Sequence, residues 1–474
     1  MAEKNELQHS LRALIGESYV LTEEQDMAGY RHDGRGAAGG VPLAVVRPDS
    51  AQAISALVRW AADHDVRIVP QGGATGLVAG GVAGEGGEDV LLSLDRLTRY
   101  IEIDPVNRTA TVDAGVRLSV LNAAAAEHGL FFPIDLGADP TIGGMVAANT
   151  GGARLLRYGD VRSNLMAMDM VRANADGTCL SLGGPLWKNN VGLDLKQLLV
   201  GAGGTTGIIT RVTVALQRLP DARMTALVAL NDPHKALPLL LDMEKALGAW
   251  LSAYEGMSQI AMIAAFAHVP GLRMPFAEIP PYAVLIELSA GGAFDESMME
   301  DRLAAVLGPM MEGEGAPVLD VATDQHDGLW AIRHAVPEGL RAKGYVVGCD
   351  IAMRRGDVMR FRDDLADRIS RDAPGFVPHD FGHIGDGGLH YNLVWDIAQG
   401  VPDFAAVEAA RHIVFDAVVQ DYGGSFSAEH GIGPRNIAYY RKYVPEAIQA
   451  LAGRIEKNMA PVASGRVSFG LMEE

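Results

Sequence analysis

The segment His383-Ile-Gly-Asp-Gly-Gly-Leu-His390 sets two imidazoles on either side of Gly385, Gly387 and Gly388. Glycine at that density disfavours a helix, and a bend there would carry both rings to one point. Ser427-Ala-Glu-His-Gly431 adds a carboxylate, Glu429, and a third imidazole, His430. Two imidazoles and a carboxylate with open positions make a catalytic site for Zn²⁺ or a similar divalent ion. With 13 histidines in the chain, the same residues also fit hydrogen-bonded core positions, and the spacing leaves both readings open. Adjacent side chains of extended backbone point to opposite faces, so Glu429 and His430 can share a pocket only where the chain bends.

A second kind of chemistry is written in glycine. Gly supplies 56 of 474 residues, about 12% against a usual ~7%, and many gather in three loops. The first, Pro70-Gln71-Gly72-Gly73-Ala74-Thr75-Gly76-Leu77 running on to Gly81, directly follows a strand-like run. The second runs from Pro133 through Asp135-Leu136-Gly137 to Thr141-Ile142-Gly143-Gly144, and continues in Asn149-Thr150-Gly151-Gly152 and Tyr158-Gly159. The third is Gly201-Ala-Gly-Gly204-Thr-Thr-Gly207, leading into Ile208-Ile209. Such loops let backbone N–H groups approach a phosphate closely. None has the lysine of a P-loop or the GxGxxG spacing of a dinucleotide turn. Any one of them alone could be a plain turn; three in one domain point to one long ligand.

These segments, in this order, resemble the flavoproteins of the vanillyl-alcohol oxidase and p-cresol methylhydroxylase type, in the branch of the D-2-hydroxyglutarate and D-lactate dehydrogenases. The resemblance runs from about Pro42 to the end of the chain. It implies an α+β architecture: a two-subdomain FAD-binding domain and an α+β substrate (cap) domain with antiparallel sheet. The expected division is an N-terminal helical segment at 1–36, the FAD-binding domain at 37–220, the substrate domain at 221–420 and a C-terminal segment at 421–474 closing the active site. By the same resemblance the loop from Gln71 to Leu77 wraps the FAD diphosphate, and the named residues of the other two loops, with Asn392, enclose the rest. His383, His390 and Glu429 would bind the metal, His430 would be the base, and Asn392 would lie by flavin or substrate. Some relatives attach flavin through a histidine in the first loop; this chain has none there, so FAD is expected to be non-covalent.

Trp330-Ala-Ile-Arg333 matches the family's substrate segment and nominates Arg333 as a bidentate carboxylate clamp. Three places depart from the pattern. Relatives read Gly-Ser-Glu-Gly-Thr-Leu-Gly where this chain has Gly201 to Gly207. Hydroxyglutarate-type relatives carry a Thr four residues after the arginine and a Lys two before the aspartate aligned with Asp350, whereas Pro337 and Gly348 stand here. Recognition of a distal carboxylate would then fall to Lys343, Arg354 or another base. The implied reaction is oxidation of a D-2-hydroxy acid of the D-2-hydroxyglutarate, D-lactate or D-malate type. A metal on the hydroxyl would lower its pKa, a histidine would take the proton, and flavin would take the hydride. The rivals are a non-redox flavin enzyme or a flavin oxidase using oxygen, a metal-dependent hydrolase without flavin, and a binding protein.

The elements that must position these residues are legible in part. Leu43 to Val46, Val66 to Val69 and Val90 to Leu92 read as strands, with a helix between the first two that Ser50 can cap and that sets Ile54, Leu57, Val58 and Ala61 on one face. Ile101 to Asp113 reads as a hairpin around Asp104-Pro-Val-Asn107, and strand-like runs continue at 168–171, 178–182 and 208–216 up to a boundary at Arg218-Leu-Pro220. Beyond it, helical runs at His234 to Leu251 and Asp295 to Met311 alternate with strands at 225–230 and 282–288, and Pro270 to Pro281 reads as a loop. The balance of 40 Lys plus Arg against 59 Asp plus Glu gives a net charge of −19, a field that repels nucleic acid and anionic lipid. Two cysteines, Cys179 and Cys349, are too few for a disulfide framework or an iron–sulfur cluster. No apolar run approaches a membrane span, and the acidic start argues against a transit peptide, so a cytoplasmic protein is expected. No haem-attachment or nicotinamide motif occurs, so electrons are expected to pass to a separate acceptor, an electron-transfer flavoprotein or quinone. A homodimer is among the assembly states left open.

Overall fold

The structure, a computed structural model, describes residues 2–36, 38–292, 296–324 and 328–471; the expectations placed on Met1, Asp295 and Glu474 lie outside them. The chain divides into two units, one of Met1–Gly151, Asp160–Leu219 and Glu429–Glu474, the other of Gly152–Gly159 and Pro220–Ala428.

In the first unit, among the described residues, Ala44–Val46, Val90–Ser93 and Ile68–Gln71 pair in parallel, and Val20–Leu21 adds an antiparallel edge. The helix Ala51–His64 starts where Ser50 accepts a hydrogen bond from the Ala53 amide and buries Ile54, Leu57, Val58 and Ala61, the three larger side chains contributing ~1.5–3 kcal/mol each. It ends at Asp65, a left-handed residue. The expected hairpin forms from Ile101–Asp104 and Thr109–Asp113 and is the edge of a five-stranded antiparallel sheet whose centre is Gly207–Ala215. Apolar strands with β-branched residues, Val112, Val212 and Val214 among them, bury the inner face.

The second unit is built on a seven-stranded antiparallel sheet in the order Val318–Asp324, Ala222–Leu230, Tyr282–Ala290, Leu251–Ser258, Phe376–Gly382, Gly388–Asp396, Gly344–Ala352. The sequence pattern does not single out five of these strands, Leu251–Ser258, Val318–Asp324, Gly344–Ala352, Phe376–Gly382 and Gly388–Asp396. The first of them corrects the helix expected to reach Leu251. That helix is Ala236–Leu247, and Gly248 follows it where a Cβ would stand 2.5 Å from the Glu244 carbonyl oxygen. Leu251 then enters a strand buried along its whole length. The helix Gly328–Lys343 packs its Leu329, Trp330, Ile332 and Val336 side into the core beside that strand.

The units depart from the expected boundaries at two places. Gly152–Gly159 groups with the second unit because Arg154 makes a bidentate pair with buried Glu287 at 2.8 and 3.0 Å and Arg157 donates to Ser289. The chain returns to the first unit at Glu429, where Ala463 and Gly465 bond with the backbone of Ile68. The crossing near Pro220 falls between Leu219 and Pro220. Among the described residues no helix is long and apolar enough to cross a membrane.

Candidate active site

The sheet of the second unit explains how the two histidines meet. Phe376–Gly382 and Gly388–Asp396 pair antiparallel, and the residues between them form a tight turn in which Asp386 and Gly388 donate backbone bonds to the His383 carbonyl. Gly387 sits there at φ +92°, where a Cβ would meet the Met353 carbonyl oxygen at 2.0 Å, so only glycine fits. His383 lies at the end of one strand and His390 near the start of the other, with ring centroids 5.2 Å apart and nearly perpendicular. Register then brings in Asp350, which stands opposite His390 with Oδ1 3.6 Å from Nδ1.

On the other side of His383 lies a wholly buried acid that sequence reasoning missed. Glu255, in the strand Leu251–Ser258, has one oxygen 2.5 Å from His383 Nδ1 and the other 2.7 Å from Arg333 Nε. Burial alone would raise its carboxyl pKa, but the Arg333 charge and the hydrogen bonds from His383 and Arg333 outweigh it and hold it below the usual carboxylate range. An ionised carboxylate only accepts, so His383 donates from Nδ1. The one signal in the sequence was a glutamate inside an otherwise apolar and small-residue run, Leu-Ser-Ala-Tyr-Glu-Gly-Met-Ser.

Arg333 is buried on the helix Gly328–Lys343 and lies over the Phe381 ring at 4.4 Å. The clamp proposed from sequence therefore has its Nε engaged; among the described residues its two terminal nitrogens have no acceptor in the chain. The helix continues through Pro337, whose missing N–H would have bonded the Arg333 carbonyl one turn back. Asn392 commits its amide nitrogen to the His379 and His390 carbonyls at 3.3 and 3.1 Å, so what it can offer a ligand is its acceptor oxygen. Lys343 pairs with Asp396 at 3.5 Å at the far end of the strand that carries Asp350, some ~20 Å away at 3.3 Å per residue. It is therefore removed as a base for the substrate's far end. Arg354 is exposed, while Arg355 reaches the turn, 3.4 Å from the Gly385 carbonyl.

In the first unit the three glycine loops converge. Gln71 straps the first loop by donating to the Tyr30 and Gly81 carbonyls at 2.8 and 2.7 Å. Gly72 lies against Thr141, where a Cβ would stand 2.3 Å from Oγ1, and Gly204 lies over the Pro70 ring. Thr141 caps the short helix Ile142–Ala148 by accepting from Gly144, and Gly201 and Gly203 bond the Val146 and Ala147 carbonyls. Some glycines are thus explained by packing: Gly143 faces Ala114, 2.6 Å from where its Cβ would be. Ile142 and Ile208 point into the core, Pro133 is buried and Leu136 packs on the core, and Asn149 bonds Asp160 and the Arg162 amide. Ala74 is left-handed at φ 56°. Among the described residues the amides of Gly73, Ala74, Thr75, Gly76 and Leu77 have no acceptor in the chain, and Gly76 and Gly137 have open space around them. That row of donors suits a diphosphate. Gly152, Tyr158 and Gly159 belong to the second unit, with the Tyr158 hydroxyl 3.4 Å from Ser289 Oγ.

The chain bends at Glu429 and His430, as a shared pocket requires, and His430 Nε2 lies 3.9 Å from Glu429 Oε1.

Comparison with known proteins adds the following. Residues 42–183 match the model of the FAD binding domain and residues 219–457 that of the C-terminal domain of FAD linked oxidases. The chain is 35% identical over 430 residues to D-2-hydroxyglutarate dehydrogenase of Xanthomonas citri pv. viticola, covering 90% of this chain and 88% of that protein. It is 33% identical over 430 residues to that of Stutzerimonas stutzeri, covering 89% of each. It is 32% identical over 423 residues to the mitochondrial D-2-hydroxyglutarate dehydrogenase of Danio rerio, covering 88% and 76%. In fold it is similar to p-cresol methylhydroxylase with substrate bound, at TM-score 0.72 and 15% identity over 98% of this chain and 96% of that one. It is also similar to alkyldihydroxyacetonephosphate synthase, at TM-score 0.70 and 16% identity over 97% and 85%.

Proposed function

From the premise that this chain belongs to the FAD-linked oxidases, in the family of the D-2-hydroxyglutarate dehydrogenases, we propose that it oxidises a D-2-hydroxy acid to the 2-oxo acid with the help of a divalent metal. The observation that carries the proposal is the buried bridge from His383 through Glu255 to Arg333, which keeps a metal-type ligand and a carboxylate clamp in one corner of the sheet. A hydrolase without flavin has lost its ground, because residues 42–183 match an FAD binding domain.

His383, His390 and Glu429 would hold the metal, with Asp350 beside His390; imidazole and carboxylate donors suit Zn²⁺. Ala428 donates its amide to the Asp350 carbonyl at 3.2 Å. When bound, FAD would accept the substrate's α-hydrogen as hydride, and the cation would lower the pKa of its hydroxyl. Arg333 binds the substrate carboxylate through its terminal nitrogens and so orients the α-carbon. His430 takes the hydroxyl proton on an unprotonated ring nitrogen, and Asn392 offers its oxygen to the bound molecule. The amides of Gly73 to Leu77 hold the FAD diphosphate without a covalent bond to the protein.

D-2-hydroxyglutarate, D-lactate and D-malate are the candidate substrates, and a separate flavoprotein or quinone is the candidate electron acceptor. The test is anaerobic reduction of the bound flavin by each acid, with and without chelator. At least one acid should bleach the flavin in a chelator-sensitive way, and His430→Ala should slow bleaching by roughly 10²- to 10⁴-fold with FAD still bound. A flavin that no 2-hydroxy acid reduces would refute the reading.

A further inference from the structure

Glu255 stands in the middle of a strand with no exposed residue, and its own side chain is fully enclosed. A charge in such a place is costly unless both its oxygens are matched. Here they are, and by two groups of different use: Oε1 faces His383 Nδ1 at 2.5 Å and Oε2 faces Arg333 Nε at 2.7 Å.

The two contacts impose two constraints. Because the carboxylate can only accept, the proton of His383 stays on Nδ1 and the lone pair is set on Nε2, the nitrogen on the far side of the ring. A metal-binding imidazole is held in that tautomer by an acceptor behind it. On the other arm, donation from Nε fixes the plane of the Arg333 guanidinium, which Phe381 supports from one face at 4.4 Å. With its plane fixed, the two terminal nitrogens point in one direction as a fork. We infer that Glu255 is a positioning residue that sets, through one carboxylate, both the ring nitrogen His383 presents to a cation and the direction in which Arg333 meets the substrate carboxylate. This rests on the functional reading above and extends it to a residue 128 positions away from His383 in the chain.

Glutamine cannot reproduce the bridge, although it has the same shape. Its amide has one acceptor and one donor end. If the oxygen faces Arg333, the NH₂ faces His383, whose Nδ1 must then be bare and whose proton moves to Nε2. If the oxygen faces His383, the NH₂ opposes the Arg333 N–H. Aspartate keeps the charge but is one methylene too short to reach both partners from the same backbone.

The experiment compares FAD-loaded full-length wild type, Glu255→Gln and Glu255→Asp. Zinc affinity is measured by competition with a chelator, and 2-oxoglutarate binding by perturbation of the oxidised flavin spectrum. Both variants should keep FAD and the wild-type flavin spectrum. Zinc should bind about 10- to 100-fold more weakly to Glu255→Gln, 2-oxoglutarate about tenfold more weakly, and Glu255→Asp should fall between it and wild type. If Glu255→Gln fails to fold, Glu255→Asp decides alone through the same two measurements. Wild-type affinity for both probes in either folded variant overturns the inference while leaving the functional reading intact. A wild-type enzyme whose flavin responds to no 2-hydroxy acid overturns that reading instead, and a wild type that binds no zinc overturns the inference with the metal part of it.

Discussion

Asp350 and His390 face each other across the antiparallel strands Gly344–Ala352 and Gly388–Asp396, with a carboxylate oxygen 3.6 Å from Nδ1 of the ring. The distance is longer than a direct hydrogen bond. The same strands place Gly348 opposite Asn392, two residues further along the same face.

Asp350→Asn removes this charge with little change of shape. The variant should keep FAD and fold normally, while its zinc affinity drops about tenfold or more. Metal analysis after dialysis against graded chelator checks it, and equal retention by variant and wild type would show that Asp350 has no part in holding the ion.

Gly72 and Gly76 lie in the same loop for different reasons. A methyl at Gly72 would press on Thr141 Oγ1 at 2.3 Å, whereas around Gly76 nothing lies within 4 Å. Gly72→Ala should therefore destabilise the cofactor-stripped protein by ~1–3 kcal/mol through overpacking. Gly76→Ala should leave that stability unchanged and weaken FAD binding, since the open space is where the diphosphate would pass. Urea unfolding of the stripped protein and FAD titration separate the two effects. A Gly76→Ala protein with undiminished FAD affinity would place the diphosphate elsewhere.

His379 ties stability to pH. Its ring is fully buried, Nδ1 donates to the Val377 carbonyl at 2.9 Å, and Nε2 has no partner among the described residues. Burial pushes its pKa below the usual 6.5, against the pull of the Val377 carbonyl. The unfolded chain therefore takes up a proton near pH 6.5 that the folded chain still refuses. Stability from this group is fully present above about pH 6.5 and is lost as pH falls towards the lower folded value, at ~1.4 kcal/mol for each unit of depression. Unfolding free energies at pH 7.5, about 6.5 and about 5.5 should fall more steeply for wild type than for His379→Leu. Parallel slopes would mean that the ring titrates normally in the fold.

Much of this was legible beforehand because it is local. The Ser50-capped helix, the hairpin around Asp104 and the turn between His383 and His390 each follow from residues a few positions apart, where periodicity, capping and glycine act directly. The glycine loops were legible as loops. Their division of labour was not, since Gly72 and Gly143 are set by Thr141 and Ala114, which no spacing connects to them. The strand Leu251–Ser258 was hidden for a related reason: a short buried run with no alternation looks like the end of the preceding helix, which in the fold already ends at Leu247.

By itself, then, the sequence determined which groups are available, a cluster of imidazoles, an arginine and three glycine loops, and the family whose pattern they share. Only the tertiary structure decided that Glu255 stands between His383 and Arg333, that Asp350 faces His390, and that Lys343 ends its helix at the far end of the strand that carries Asp350. The reason is register: antiparallel pairing between strands far apart in the chain sets which side chains are neighbours, and that choice is made by the packing of whole faces rather than by any run of residues.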